Sequence, residues 1–208
     1  MVTSYPLLAV TRENEFYSFS ITDVPVRIND KEFILMNREN SPILKLGLCR
    51  RGCDIKDIYE GDIIRSNGVD YVVLYQRGMI LTSKDRDKKY LWQLEDYEKV
   101  GDVFTQDFPL EIIFPKSVHY KYRDNPVYTK EITGMFDGKL FIDGISTRVN
   151  PEDLQQYANF TNEGTKVYFG DLIRGYPVEL YYGRPVIKHD GIIEDVTAKT
   201  QIERKKEK

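Results

Sequence analysis

Short apolar runs broken by polar turns recur along the whole chain. Several alternate apolar and polar positions, which is the period of a half-buried strand. In the first part, residues 15–21, 24–28, 32–36 and 43–48 read as strands, the last set within a polar, glycine-containing stretch. The clearest hairpin has residues 63–65 as one arm, Asn67-Gly68 at the tip and residues 69–75 as the return. Asn-Gly suits a two-residue turn because both residues tolerate the positive φ that matches the twist of the strands. Residues 79–82, 98–104 and 112–114 continue the series, residues 90–94 return apolar surface to the core, and residues 135–142 predict another two-residue hairpin, turning on Asp137-Gly138. Asn150-Pro151-Glu152-Asp153 predicts a short helix ending near Tyr157 or Ala158. Asparagine caps it, proline fits the first position, and the acids face the dipole. The expected fold is therefore mainly β: two small β-barrel-like or curled-sheet domains with one short helix. Residues 1–115 are expected to form the first, residues 116–198 the second, and residues 199–208 a flexible basic tail.

One pattern occurs twice. Ile58-Tyr59-Glu60-Gly61-Asp62-Ile63-Ile64-Arg65 returns as Val167-Tyr168-Phe169-Gly170-Asp171-Leu172-Ile173-Arg174. Tyr59, Gly61, Asp62 and Arg65, with Tyr168, Gly170, Asp171 and Arg174, read as a structural motif. Gly-Asp bends the chain, the branched pair feeds a sheet, and arginine covers its rim. Residues 178–181 mirror residues 72–75, with the intervening turn three residues shorter. Glu60 and Asp62 could serve as paired acids for metal-dependent or general acid–base chemistry. The second copy carries Phe169 in place of Glu60, which favours a turn-forming role for the carboxylates.

Composition narrows the chemistry. Thirty Lys and Arg stand against 33 Asp and Glu, for a net charge of -3. A protein devoted to phosphate-backbone binding usually shows a basic excess instead. Two histidines and two cysteines supply few metal clusters or triads, so no metal and no cofactor is expected. Cys49 and Cys53 read as ordinary thiols in a turn. Neither a phosphate-cradling glycine loop nor a Gly-x-Ser-x-Gly elbow is found in the sequence. No apolar run approaches the roughly 20 residues of a membrane span, and the N-terminus does not read as a secretory signal, so cytoplasmic residence is the expectation.

Two sets of residues are candidates for binding. Tyr120, Lys121, Tyr122 and Arg123 alternate aromatic and basic side chains, a pattern able to stack bases and track phosphates. Tyr75, Tyr181 and Tyr182 belong to an abundance of tyrosine, 15 in all, of the kind enriched at protein interfaces.

The run Gly47-Leu48, Asp54-Ile55-Lys56-Asp57-Ile58-Tyr59-Glu60-Gly61-Asp62-Ile63-Ile64, Val100-Gly101-Asp102-Val103-Phe104 and Pro109-Leu110-Glu111 resembles the YopX family of phage and prophage proteins. The resemblance covers residues 45–111. The chain departs from the family pattern in lacking its Arg-Ala-Trp-Asp-like opening and in carrying a second half with its own motif copy. The resemblance implies a β-rich phage or prophage accessory protein and carries over no catalytic residue. Together with the tyrosine content it sets the expectation: a non-enzymatic binding module acting on a host or phage protein, in host takeover or counter-defence. A nucleic-acid-binding module and a metal-dependent hydrolase or nuclease are the alternatives.

Overall fold

The Asn67-Gly68 hairpin forms as its sequence dictates, with φ of 49° and 74° at the two turn residues. Three further two-residue turns use the same left-handed pair: Arg174-Gly175, Tyr182-Gly183 and Asp190-Gly191. Such turns match the twist of the strands they join, so each closes a tight antiparallel hairpin. The computed structural model describes residues 4–20, 23–29, 32–36, 44–54, 57–75, 79–83, 87–110, 112–114, 118–122, 132–136, 139–142, 150–162 and 165–197. Arg123, the Asp137-Gly138 turn and the 199–208 tail lie outside them.

The architecture is mainly β, built from small antiparallel sheets with no closed barrel among the described residues. Strands β1 (Leu7–Thr11), β2 (Phe16–Phe19), β3 (Val24–Asn29), β4 (Glu32–Met36) and β5 (Leu44–Arg51) form the first sheet, in the order β2-β1-β5-β4-β3. Strands β6 (Asp62–Ser66), β7 (Val69–Tyr75), β8 (Met79–Ser83), β9 (Lys88–Tyr90) and β10 (Glu98–Asp102) form the second, ordered β10-β6-β7-β8-β9. Strand β11 (Tyr120–Tyr122) comes next, followed by the hairpin of β12 (Ile132–Phe136) and β13 (Lys139–Ile142). Strand β14 (Leu154–Asn162) then lies between β11 and β15 (Thr165–Tyr168). Two small sheets complete the chain. One pairs β16 (Leu172–Ile173) with β17 (Tyr176–Pro177); the other is β18 (Glu179–Tyr181), β19 (Arg184–His189) and β20 (Ile192–Asp195) in sequential order.

The expected helix is corrected. Pro151–Asp153 makes one 3-10 turn, and the chain then runs extended as β14. Burial alternates strictly over Leu154, Gln155, Gln156, Tyr157 and Ala158, a period of two. An isolated two-turn helix is marginal, whereas β14 satisfies its backbone against strands on both sides. Two further expectations differ: of residues 90–94 Leu91 is buried but Tyr90 and Trp92 are exposed, and the strand at 112–114 is absent. Leu91–Gln93 forms a 3-10 turn after the short β9, and residues 112–114 have no regular structure.

A single buried cluster draws on both halves of the sequence. It includes Leu7, Ala9, Leu46, Cys49, Ile64 and Val73 from the first, with Ala158, Val167, Phe169, Ile173, Leu180 and Ile187 from the second.

Candidate functional site

The repeated motif folds into the same turn twice. Asp62 N–H donates to the Tyr59 carbonyl at 3.0 Å, and Asp171 N–H to the Tyr168 carbonyl at 3.0 Å. The glycine before each aspartate has φ near the left-handed value that a type II turn demands, 87° at Gly61 and 86° at Gly170. Each aspartate then reaches back: Tyr59 N–H donates to Asp62 Oδ2 at 2.8 Å, and Tyr168 N–H to Asp171 Oδ2 at 2.9 Å. The carboxylates are turn-forming groups, as the sequence favoured.

The equivalence reaches well beyond the motif. Glu60 N–H donates to the Arg51 carbonyl at 2.9 Å, and Phe169 N–H to the Gln156 carbonyl at 3.0 Å. One strand further out, Gly52 N–H meets the Pro6 carbonyl at 2.7 Å and Tyr157 N–H meets the His119 carbonyl at 2.8 Å. Leu7 pairs with Arg51 as Tyr120 pairs with Gln156. Strands β1, β5 and β6 thus correspond to β11, β14 and β16. The sequence conceals this because the equivalent residues share no letters: Arg50-Arg51-Gly52 stands where Gln155-Gln156-Tyr157 does.

The structure also corrects the alignment after the motif. Gly61 N–H donates to Val73 O and Gly170 N–H to Val178 O, both at 2.8 Å. Val73 therefore matches Val178, and Tyr75 matches Leu180 rather than Tyr181. A one-residue slip moves a strand's side chains to the opposite face. Tyr75 and Leu180 are accordingly buried, while Tyr181 is only half-buried. The second hairpin is shorter, so Arg174 falls in its turn while Arg65 stays in β6. Both arginines are exposed and ion-paired: Arg65 Nε lies 2.7 Å from Asp70 Oδ1, and Arg174 pairs with Glu194.

The acids proposed for catalysis are committed to buried ion pairs. Glu60 takes both oxygens to Arg51, with Nε at 2.8 Å and Nη2 at 2.6 Å, and also accepts the Arg51 N–H at 3.1 Å. Asp62 pairs with Arg50 and with Lys99 Nζ, the latter at 2.8 Å. Glu60 and Asp62 are almost fully buried, so each charge in the turn is met by a cation a few residues away in space. Among the described residues, no group of three His, Cys, Asp or Glu is placed to hold a metal ion.

The halves meet around Tyr5. Its ring packs edge-on against Tyr75 at 5.0 Å and Phe169 at 4.9 Å. Its hydroxyl is hydrogen-bonded to the Tyr75 hydroxyl and donates to the Ala158 carbonyl, while its N–H donates to Gln156 Oε1. The Arg51 guanidinium sits 4.2 Å from the centre of the Tyr75 ring. A second contact is made by Asp54, whose carboxylate accepts the Tyr182 N–H at 3.0 Å and the Gly183 N–H at 2.7 Å.

The tyrosines expected to bind a partner are therefore sorted by the fold. Tyr75 and Tyr120 are buried, which corrects their assignment to a binding surface, and burial raises the hydroxyl pKa of each. Lys121 is mostly covered and ion-paired with Asp171. Tyr122 is in β11. Tyr182 is exposed, with its ring edge-on to Tyr181 at 4.9 Å. Other exposed residues were not anticipated. Tyr90 and Trp92 stack at 5.9 Å, with the Arg184 guanidinium 4.4 Å from the Trp92 ring centre. Leu172, Tyr176, Ile192 and Ile193 stand exposed on β16, β17 and β20. Exposed apolar residues at Leu172, Ile192 and Ile193 were invisible because an apolar letter in a strand reads as core. No helix among the described residues is long and apolar enough to cross a membrane.

No protein-family model matches the chain, and no curated protein or solved structure matches it.

Proposed function

We propose that this chain is a non-enzymatic phage or prophage accessory protein of the YopX type that binds a host or phage protein. The observation that carries the reading is the exposure of four large apolar side chains on β16, β17 and β20: Leu172, Tyr176, Ile192 and Ile193. Apolar residues on short strands near open sheet edges favour pairing with another polypeptide, where main-chain bonds give affinity and side chains give selectivity. The Tyr90-Trp92 stack beside Arg184 adds the residue types that dominate interface energetics. Catalysis by Glu60 and Asp62 is disfavoured by their salt bridges. Two residues of the nucleic-acid alternative are committed elsewhere, because Tyr120 is buried and Lys121 is engaged by Asp171.

The test is affinity purification of the tagged full chain from cells of its bacterial host, washed at low and at high salt. A single stoichiometric protein retained through high salt is the expected outcome, and Tyr176→Glu should weaken it by about tenfold or more. Retention of nucleic acid that falls steeply with salt would favour the alternative. Repeated recovery of nothing above background would end the protein-binding reading.

A further inference from the structure

Alternation along β11 separates its buried tyrosine from its lysine. Tyr120 faces the core, and Lys121 takes the opposite face. The rings that accompany Lys121 come from the neighbouring strands. Tyr157 of β14 stands opposite Tyr168 of β15, and its N–H meets the carbonyl of His119 just before β11. His119, Tyr157 and Tyr168 therefore form one row across three strands, with successive ring centres 6.1 Å and 5.6 Å apart. Lys121 flanks the row with Nζ 4.9 Å from the Tyr168 ring centre, and Lys166 with Nζ 5.5 Å from that of Tyr157. His119 and Tyr157 are half-buried, and Lys166 is exposed. Tyr168 is 2% exposed, and its hydroxyl has no hydrogen-bond partner among the described residues.

The scaffold does not demand this composition. The equivalent row in the first copy is Pro6, Gly52 and Tyr59, with Leu8 in place of Lys121 and Asp57 in place of Lys166. There the row is closed, since a Cβ at Gly52 would stand 2.7 Å from the Tyr59 ring and 2.8 Å from Pro6. The second copy keeps the same backbone bonds. It places rings at two positions that need none, and a cation where the first copy has an acid.

We propose that the row of His119, Tyr157 and Tyr168 is a binding site for single-stranded nucleic acid. Unpaired bases stack on the partly open rings of Tyr157 and His119, while Tyr168 supports Tyr157 from β15. Aromatic side chains on a sheet face hold unpaired bases in this way with little regard to sequence. Lys166 meets the phosphates. Lys121 is already paired with Asp171, so its share is smaller. The Tyr168 hydroxyl is a donor left for the strand. Stacking thus supplies more of the affinity than charge does, which is compatible with a net charge of -3. The site uses none of the residues that carry the protein-binding reading.

The probes are fluorescein-labelled oligo-dT and oligo-U of about ten nucleotides, titrated with the full chain and followed by anisotropy. Saturable binding is expected, and log K should fall with log salt by a slope of only about 0.7 to 1.4, the release from one or two phosphates. The tighter arm names the sugar preferred. Tyr157→Ala should weaken binding by about tenfold, and Tyr157→Phe should bind as the wild type does. Lys166→Glu should weaken it severalfold and lower the slope by about 0.7. Because Lys166 is exposed, that variant tests the site even where Tyr157→Ala fails to fold. Tyr176→Glu, which should weaken the protein partner, should leave oligonucleotide binding unchanged. No saturable binding to either strand, equal binding of a duplex, or wild-type binding by Lys166→Glu and Tyr157→Ala overturns the proposal. So does loss of a purified protein partner on Lys166→Glu without oligonucleotide binding, which assigns the row to a protein instead.

Discussion

Glu60 and Arg51 show what a single pair of letters costs and contributes. Both are buried and joined through two side-chain bonds. Removing one partner of such a pair strands a buried charge, which typically costs about 3–5 kcal/mol, whereas replacing both with apolar residues is often neutral. Glu60→Ala should therefore lower stability by about that amount, and Arg51→Met with Glu60→Leu should recover at least half of it in denaturant melts. The second copy has already made a comparable exchange, with Gln156 and Phe169 at the equivalent positions. If the double variant were as unstable as Glu60→Ala, the pair would have to be doing more than closing a turn. Cys49 offers a second test. Burial pushes its thiol from the ordinary 9.0 up to about 12, outweighing the lowering effect of Arg51. A raised folded pKa means that this group's stabilisation is complete below pH 9 and is lost as pH climbs from 9 toward 12. Thiol labelling at pH 8 should reach Cys49 only after unfolding, and Cys49→Ala should flatten the fall in stability above pH 9. Rapid labelling of the native chain would contradict its burial.

Among the elements, the hairpins were legible where their chemistry is local. Asn67-Gly68 announces its turn by residue type alone. Arg174-Gly175 and Tyr182-Gly183 do not, because arginine and tyrosine are not residues that seek positive φ; a short hairpin held from outside imposes it. The Tyr182-Gly183 turn has a visible holder in Asp54, from the other half of the sequence. Hydrogen bonds to a carboxylate contribute about 1.5–3 kcal/mol when shielded, and this site is partly open. Asp54→Ala should cost about 1–2 kcal/mol and speed amide exchange at Tyr182 and Gly183, with Asp54→Asn intermediate. Unchanged exchange at those two amides would show that the turn stands on its own. The misjudged helix at Asn150 has the opposite lesson. Its capping signals were real and produced one 3-10 turn, but residues 154–158 alternate between core and surface, and pairing with β11 and β15 outweighed the local preference.

For the whole molecule, the sequence by itself determined the mainly β character, the doubled Gly-Asp turn and the structural role of its aspartates. These follow from short-range rules: alternation, positive φ at glycine, and a carboxylate able to reach an amide three residues back. Tertiary structure alone decided the rest. It extended the repeat to strands whose letters are unrelated, because strand pairing depends on backbone bonds and accepts Arg51 or Gln156 alike. It joined the halves in one buried cluster around Tyr5. It buried Tyr75 and Tyr120 while exposing Leu172, since which face a strand residue takes is set by register and by what lies across the edge. No pattern in the chain could announce that β10 covers Ile63 while Leu172 stays exposed at the equivalent place, because burial belongs to the neighbour as much as to the residue.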